Sequence, residues 1–501
     1  MPAAIPDPQP GPVHRGESEQ PGLKAGAIGF FDALVIGLAS TSPAYSLAAV
    51  IAPIVLLTGV YAPGVLLASF VPMLLISSAF YHLNKVDQDC GTTFSWVTRA
   101  MGPWWGWLGG WAIAMTGVLV VGSLAEVGVR FGLLTVGADG LAENIWLVRI
   151  LAILLIVVMS WICVLGTELS ARVQNTLIVG QVLALVLFAV VALVAVATDR
   201  STLDATTPSL AWLNPFGAGG AALTSGLLLG VFVYWGWESA VNLTEETENP
   251  AEAPGKAAVL STIVLVGTYV AVAFAIVAYA GTPFLAANSD EEEFIFALLS
   301  TKVLGGWDWV VLFSVATSAV ASAQTTIIPA SRTWLSMARR HAIPARFAHV
   351  HGRNQTPDVS TWWTAGVAIA WYLVVSVLSE NALFDSLTAL SLLIAFYYGL
   401  TGLACAVYFR RQLTASVRNL LLIGIGPVVG AAMLFWLLVE SVIDMSDPAN
   451  SYSGQAWLGL GPPLVIGIAI AVTGVVAMLW WRAVDARFWD ERASALEREG
   501  S

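Results

Sequence analysis

Charge is what this sequence has least of. Asp, Glu, Lys and Arg make up 11% of its 501 residues, less than half of the ~25% usual in a soluble domain. Cysteine is nearly missing: Cys90, Cys163 and Cys405 are the only three, which excludes a disulfide framework. There are five histidines, His14, His82, His341, His349 and His351, all in expected loops or tails. His349 and His351 are close neighbours, but further ligand types do not stand beside them, so no metal site is expected. A Gly-Lys-Ser/Thr phosphate loop is absent, and with it the means for ATP-driven pumping. No nucleophile–base pair or metal set stands within the apolar segments, so the chain does not read as an enzyme, and neither a cofactor nor a nucleic-acid partner is expected. Residues 1–26 lack the apolar core of a signal peptide. Period-two alternation is also lacking, which disfavours a β-barrel.

What is present is apolar mass. Hydrophobic residues make up 57% of the chain, and a bilayer-spanning helix needs about 20 in a row. Twelve stretches qualify: Ala27–Thr58, Tyr61–Tyr81, Pro103–Leu134, Ile145–Leu165, Val173–Ala197, Ala221–Leu243, Ala257–Ala280, Trp309–Ile328, Trp362–Leu378, Leu387–Tyr408, Leu420–Val439 and Leu458–Trp480. The expected fold class is an all-α membrane protein of twelve transmembrane helices. With the N-terminus inside, 18 of the 22 Lys and Arg fall on the cytoplasmic side, and only Arg130, Arg149, Arg200 and Lys302 outside. That is the bias a multi-pass protein of the plasma membrane shows, and it makes both termini cytoplasmic. Residues 1–26 read as a disordered tail, 482–501 as a short charged end, and the acidic run 290–293 as a solvated outer loop. Trp104-Trp105, Trp307 with Trp309, and Trp480-Trp481 read as interface anchors at span ends.

Two spans are interrupted. In the first, Ser40-Thr41-Ser42-Pro43-Ala44 resembles a helix restart, with Ser42 as N-cap and Pro43 at the first helical position. In the sixth, Phe232-Val233-Tyr234-Trp235-Gly236-Trp237-Glu238 sets a glycine among aromatics and then buries an acid. Unwound backbone is tolerated in hydrocarbon only where it lines a protein cavity, and an intramembrane acid is costly. Breaks five spans apart are what a five-plus-five inverted repeat predicts. The repeats would be 27–197 and 221–408, joined by an outer connection 198–220, with helices eleven and twelve in 409–481. Free N–H groups from Thr41 to Ala44 suit a carboxylate. Unwound carbonyls from Phe232 through Tyr234 to Gly236 suit an ammonium, so a zwitterionic amino acid matches both ends. The alternative readings are a packed proline kink and a structural acid.

The sixth-span motif continues into Asn242-Leu243-Thr244-Glu245-Glu246-Thr247-Glu248-Asn249-Pro250. Together with Ala330-Ser331-Arg332 running on to Arg339-Arg340-His341-Ala342-Ile343-Pro344, and with Ser170-Ala171-Arg172-Val173-Gln174-Asn175, it resembles the amino acid–polyamine–organocation transporters. The resemblance spreads from residue 27 to about 410. It implies an amino acid permease working by alternating access, with membrane lipid around it and a small-molecule substrate, an amino acid or an amine, in the midplane. It further implies that Phe232 gates the substrate, that Gly236 lets the backbone unwind, and that Trp237 packs beside the pocket. Glu238 occurs in relatives with quite different substrates and does not by itself indicate a cationic one. Glu245 and Glu246 would be inner-end acids that pair with loop arginines on closure.

Two departures stand out. The family's glycine-rich first break is replaced by Ser40-Thr41-Ser42-Pro43, which leaves less room for close approach. The helix-five lysine of some proton-coupled relatives is replaced by Gln181, which cannot titrate. Ser322, two before Gln324, matches a serine through which sodium coupling would run; helix packing is its plainer role. Coupling by sodium, coupling by protons and uncoupled exchange all stay open. Glu126 and Arg130 stand one turn apart and are expected to pair. A polyamine importer and a non-transporting nutrient sensor are the alternative functions. Oligomeric state is not legible, because lipid-facing and partner-facing surfaces look alike.

Overall fold

Inside hydrocarbon every backbone N–H and C=O needs an internal partner, and a helix supplies it within its own segment. The computed structural model follows that rule over the residues it describes, 22–288, 295–378, 380–451 and 453–490. Most of the expected N-terminal tail with His14, the acidic run 290–293 and the last part of the C-terminal end lie outside the described residues. Among those described, the only β-type contacts are isolated bridges, Ile28 with Thr247 and Trp457 with Leu460.

In chain order the helices are α1 (Phe30–Thr41), α2 (Pro43–Thr58), α3 (Ala62–Val86), α4 (Thr93–Met101), α5 (Pro103–Thr135), α6 (Asp139–Ala142), α7 (Ile145–Leu165), α8 (Thr167–Ala197) and α9 (Gly220–Val233). There follow α10 (Ser239–Asn242), α11 (Ala253–Ala287), α12 (Ile295–Leu304), α13 (Trp309–Arg339), α14 (Asp358–Leu378), α15 (Glu380–Tyr408), α16 (Val417–Asn419), α17 (Gly426–Asp444) and α18 (Pro462–Val484). Ten runs among the described residues are long and apolar enough to cross a membrane. One of them, Phe30–Val86, covers the second expected span and all but the first three residues of the first. The sixth expected span is divided, and its longer piece, α9, has only 14 residues. The protein is an all-helical, multi-pass membrane protein.

Lipid tails are as apolar as leucine, so membrane helices associate through close packing and hydrogen bonds. Contacts of α13 show both, the close packing against α5. A Cβ on Gly117 would lie 3.0 Å from Ala330 Cβ, and one on Gly128 would lie 3.0 Å from Val320 Cγ2. Farther along α13, Arg332 is buried and holds Glu246 in a two-point pair, Nε to Oε2 at 2.9 Å and one terminal nitrogen to Oε1 at 3.0 Å. Thr167 donates its hydroxyl to the same carboxylate. Sequence reasoning ends this span at Ile328, yet α13 runs on to Arg339 because these polar groups are paired rather than solvated. Nearby, Arg339 pairs with Glu245 at 2.8 Å and Arg340 with Asp89 at 2.6 Å.

Candidate functional site

The first break is one residue long. α1 ends at Thr41, Ser42 takes the left-handed conformation with φ 54°, and Pro43 starts α2. Ser42 stands at the N-cap, but its hydroxyl does not cap the helix; it meets Ser318 Oγ of α13 at 3.0 Å. Local bonds satisfy much of the unwound turn: Thr41 Oγ1 donates to Gly37 O and Ser46 Oγ to Thr41 O, both at 2.7 Å. Ser322 Oγ donates to Ser40 O at 2.9 Å.

The second break spans Tyr234 to Glu238, between α9 and α10. Gly236 has φ 118° there, a value that residues with a Cβ rarely adopt. It also lies against the first break: a Cβ on Gly236 would be 2.7 Å from Ser40 O and 3.0 Å from Thr41 N. Ser40 and Ser239 hydroxyls join the two segments at 2.7 Å. Two interrupted helices therefore touch, backbone to backbone, through a glycine.

Beside that contact is a narrow cavity of about 10 Å³ lined by Ser40, Thr41, Ser42, Tyr45, Ser46, Val120, Leu124, Phe232, Trp235 and Ser322. Of the residues singled out from sequence, Ser40, Thr41, Ser42, Phe232 and Ser322 line it. Pro43 and Ala44 open α2 just beside it without being part of the lining. The others lie around it. Tyr234 turns to α3, donating its hydroxyl to Leu66 O at 3.1 Å. Trp237 stacks on Tyr398 with ring centroids 5.1 Å apart and meets Phe80 edge-on at 5.0 Å. Glu238 is buried and accepts from the hydroxyls of Tyr397 and Tyr398. Gln181 is buried on α8 with neither side-chain amide atom bonded, and its backbone carbonyl accepts from Ser314 Oγ at 3.5 Å.

The sequence pattern does not single out Tyr45, Ser46, Val120, Leu124 or Trp235. Tyr45 and Ser46 had a signal, since they follow Pro43 in the first turn of α2. Trp235 had a weaker one, a large aromatic directly before the unwinding glycine. None of the lining residues is Asp, Glu, Lys, Arg or His. The wall thus offers hydroxyls, an N-terminal helix end at α2, a C-terminal end at α9, and no formal charge. Elsewhere, Glu126 pairs with Arg130 at 2.9 Å and accepts from Tyr372 Oη at 2.6 Å, while His349 bonds Asp358 at 2.6 Å.

A family model described as amino acid permease matches residues 28–470. An uncharacterized transporter of Mycobacterium tuberculosis is 29% identical over 341 residues, 66% of this chain and 70% of that protein. The human large neutral amino acids transporter small subunit 2 is 26% identical over 63% of this chain and 56% of its own length. The branched-chain amino acid permease BcaP of Bacillus subtilis is 23% identical over 54% of this chain and 58% of its own.

Proposed function

The chain belongs to the amino acid permease family, and we propose that it moves amino acids across the plasma membrane by alternating access, with both termini cytoplasmic. The observation that carries the reading is the meeting of two helix breaks at Gly236 beside a narrow, hydroxyl-lined cavity. The α2 N-terminus supplies a positive end for the substrate carboxylate and the α9 C-terminus a negative end for its ammonium. Phe232 and Trp235 form the aromatic wall between them. The names of the human and Bacillus relatives support a neutral amino acid as cargo. A polyamine is less well served, because Glu238, the one acid of the broken region, does not line the cavity and is taken up by two tyrosine hydroxyls.

Sodium is the coupling ion this reading favours. Ser40 O with the hydroxyls of Ser42, Ser318 and Ser322 gathers neutral hard oxygens at the first break, the donor type alkali cations prefer. Gln181 cannot titrate, and no lining side chain changes charge near neutral pH. Labelled amino acid uptake into proteoliposomes of the pure protein tests the function, with and without a sodium gradient. Absence of uptake and counterflow across the twenty amino acids would end the transport reading. Sodium-independent uptake, or a Ser322→Ala variant with unchanged sodium dependence, would end the sodium assignment alone.

A further inference from the structure

A short loop joins the apolar runs Asp385–Tyr408 and Val417–Asp444, and three arginines stand at their ends. Arg410 and Arg411 lie just past the first run, and Arg418 is the second residue of the other. That is headgroup depth, where a guanidinium can reach water or phosphate while its stem stays in apolar surroundings. From Ser386 to Val439 these three are the only charged residues, and all are exposed. Other bases expected on the same side of the membrane are neutralised within the chain: Lys24, Lys85, Arg99, Arg332, Arg339 and Arg340 each hold an acid. No ion pair among the described residues includes Arg410, Arg411 or Arg418. Arg410 bonds Val407 O of its own helix at 3.3 Å, a partner without formal charge.

The loop is folded so that the three charges stand together. Asn419 Nδ2 donates to Gln412 O at 3.3 Å, which sets the residue after Arg418 against the residue after Arg411. Ser416 Oγ accepts from Asn419 N at 3.1 Å and caps α16. Beneath the loop, Leu413 packs on Gly424, where an added Cβ would lie 3.0 Å from Leu413 Cδ2. A π-helical turn, Leu420–Ile425, then leads into α17. On this stretch Val417 is 74% and Leu421 50% exposed, so apolar surface adjoins the uncompensated guanidiniums. Inorganic phosphate would meet the charge alone. A phospholipid meets both, with its phosphate on the arginines and an acyl chain on Val417 and Leu421.

Resting on the cytoplasmic placement of both termini, we propose that this loop is a docking surface for anionic phospholipid of the inner leaflet. Arg410, Arg411 and Arg418 hold the headgroup phosphate, to which a guanidinium presents a planar fork of N–H donors. Each base near an anionic leaflet strengthens binding about fivefold, so three give a preference of roughly a hundredfold.

Native mass spectrometry of the full chain in detergent tests this, titrated with phosphatidylglycerol or phosphatidylcholine of identical acyl chains. The wild type should bind phosphatidylglycerol at least tenfold tighter, and thermal stabilisation by that lipid should shrink as salt rises. The triple variant Arg410→Gln, Arg411→Gln, Arg418→Gln should lose at least tenfold of the preference while melting like the wild type without lipid. Arg411→Gln alone should lose part of it, and serves if the triple variant does not fold. Arg172→Gln with Arg353→Gln removes two exposed bases elsewhere and should leave the preference intact. Equal affinity for both lipids in the wild type, or an unchanged preference in the triple variant, overturns the proposal. A matching loss in the Arg172 and Arg353 control overturns the assignment to this loop. Displacement by inorganic phosphate as effective as by phosphatidylglycerol overturns a lipid as the occupant. Labelling of Thr414→Cys by an impermeant thiol probe from outside right-side-out vesicles overturns the inner leaflet and the topology beneath it. None of these readings uses uptake, so they hold or fail apart from transport.

Discussion

Replacing Gly236 by alanine probes the contact on which the site is built. The added Cβ would stand 2.7 Å from Ser40 O, 2.8 Å from Ser40 C and 3.0 Å from Thr41 N. These are backbone atoms and cannot rotate away, so to reach ordinary contact the two breaks must part by roughly 0.5–1 Å. A φ of 118° adds about 1–2 kcal/mol of conformational strain for a residue with a Cβ. Overpacking adds about 1–3 kcal/mol, so the whole cost is about 2–5 kcal/mol. Gly267 of α11 is the matched control, for nothing lies within 4 Å of a Cβ placed there. Alanine at Gly267 should be neutral or gain up to ~1 kcal/mol from helix propensity. Thermal unfolding in detergent and proteoliposome uptake are the assays. Gly236→Ala should melt several degrees lower and lose at least tenfold in uptake, whereas Gly267→Ala should match the wild type. If Gly236→Ala melts and transports like the wild type, the two breaks do not meet as described.

Arg332→Met or Glu246→Gln leaves one buried charge without its partner, and each should cost about 3–5 kcal/mol. The double variant Arg332→Met with Glu246→Leu should recover much of that loss in the same melting assay; additive losses would argue against the pair. Asp87 lies in the loop after α3, where burial pushes its carboxyl up to about 6 from 3.8, against the pull of Arg99 at 3.1 Å. With the folded pKa above the unfolded one, the folded state binds the extra proton between pH ~4 and ~6, so stability from Asp87 is lost as pH rises through 6, at most about 3 kcal/mol. Asp87→Asn should therefore melt higher than the wild type at pH 7 and equal to it at pH 4. A gap that does not change with pH would remove Asp87 as the cause.

Sequence pattern reaches far here where the cause is local. Long apolar runs with few charges leave helices as the economical way to satisfy the backbone, so the all-helical membrane class follows directly. Ser42-Pro43 and the glycine among aromatics mark both breaks, since chain geometry alone prevents an ordinary helix there. The Glu126–Arg130 pair is legible from one-turn spacing. Facing direction inside a break is not. Between Tyr234 and Glu238 neither the 3.6 nor the 2.0 period holds, so sequence does not say that Trp235 turns to the cavity while Tyr234 and Trp237 turn to neighbouring helices. Nor does it show what holds the acid, because the tyrosines on Glu238 lie 159 and 160 residues farther along the chain. The sequence by itself determined that there would be helices, where two of them stop, and which residues could meet an amino acid. Only tertiary packing decided which of those residues do, because the cavity is assembled from α1, α2, α5, the α9–α10 turn and α13, whose relative rotation is set by contacts between distant segments.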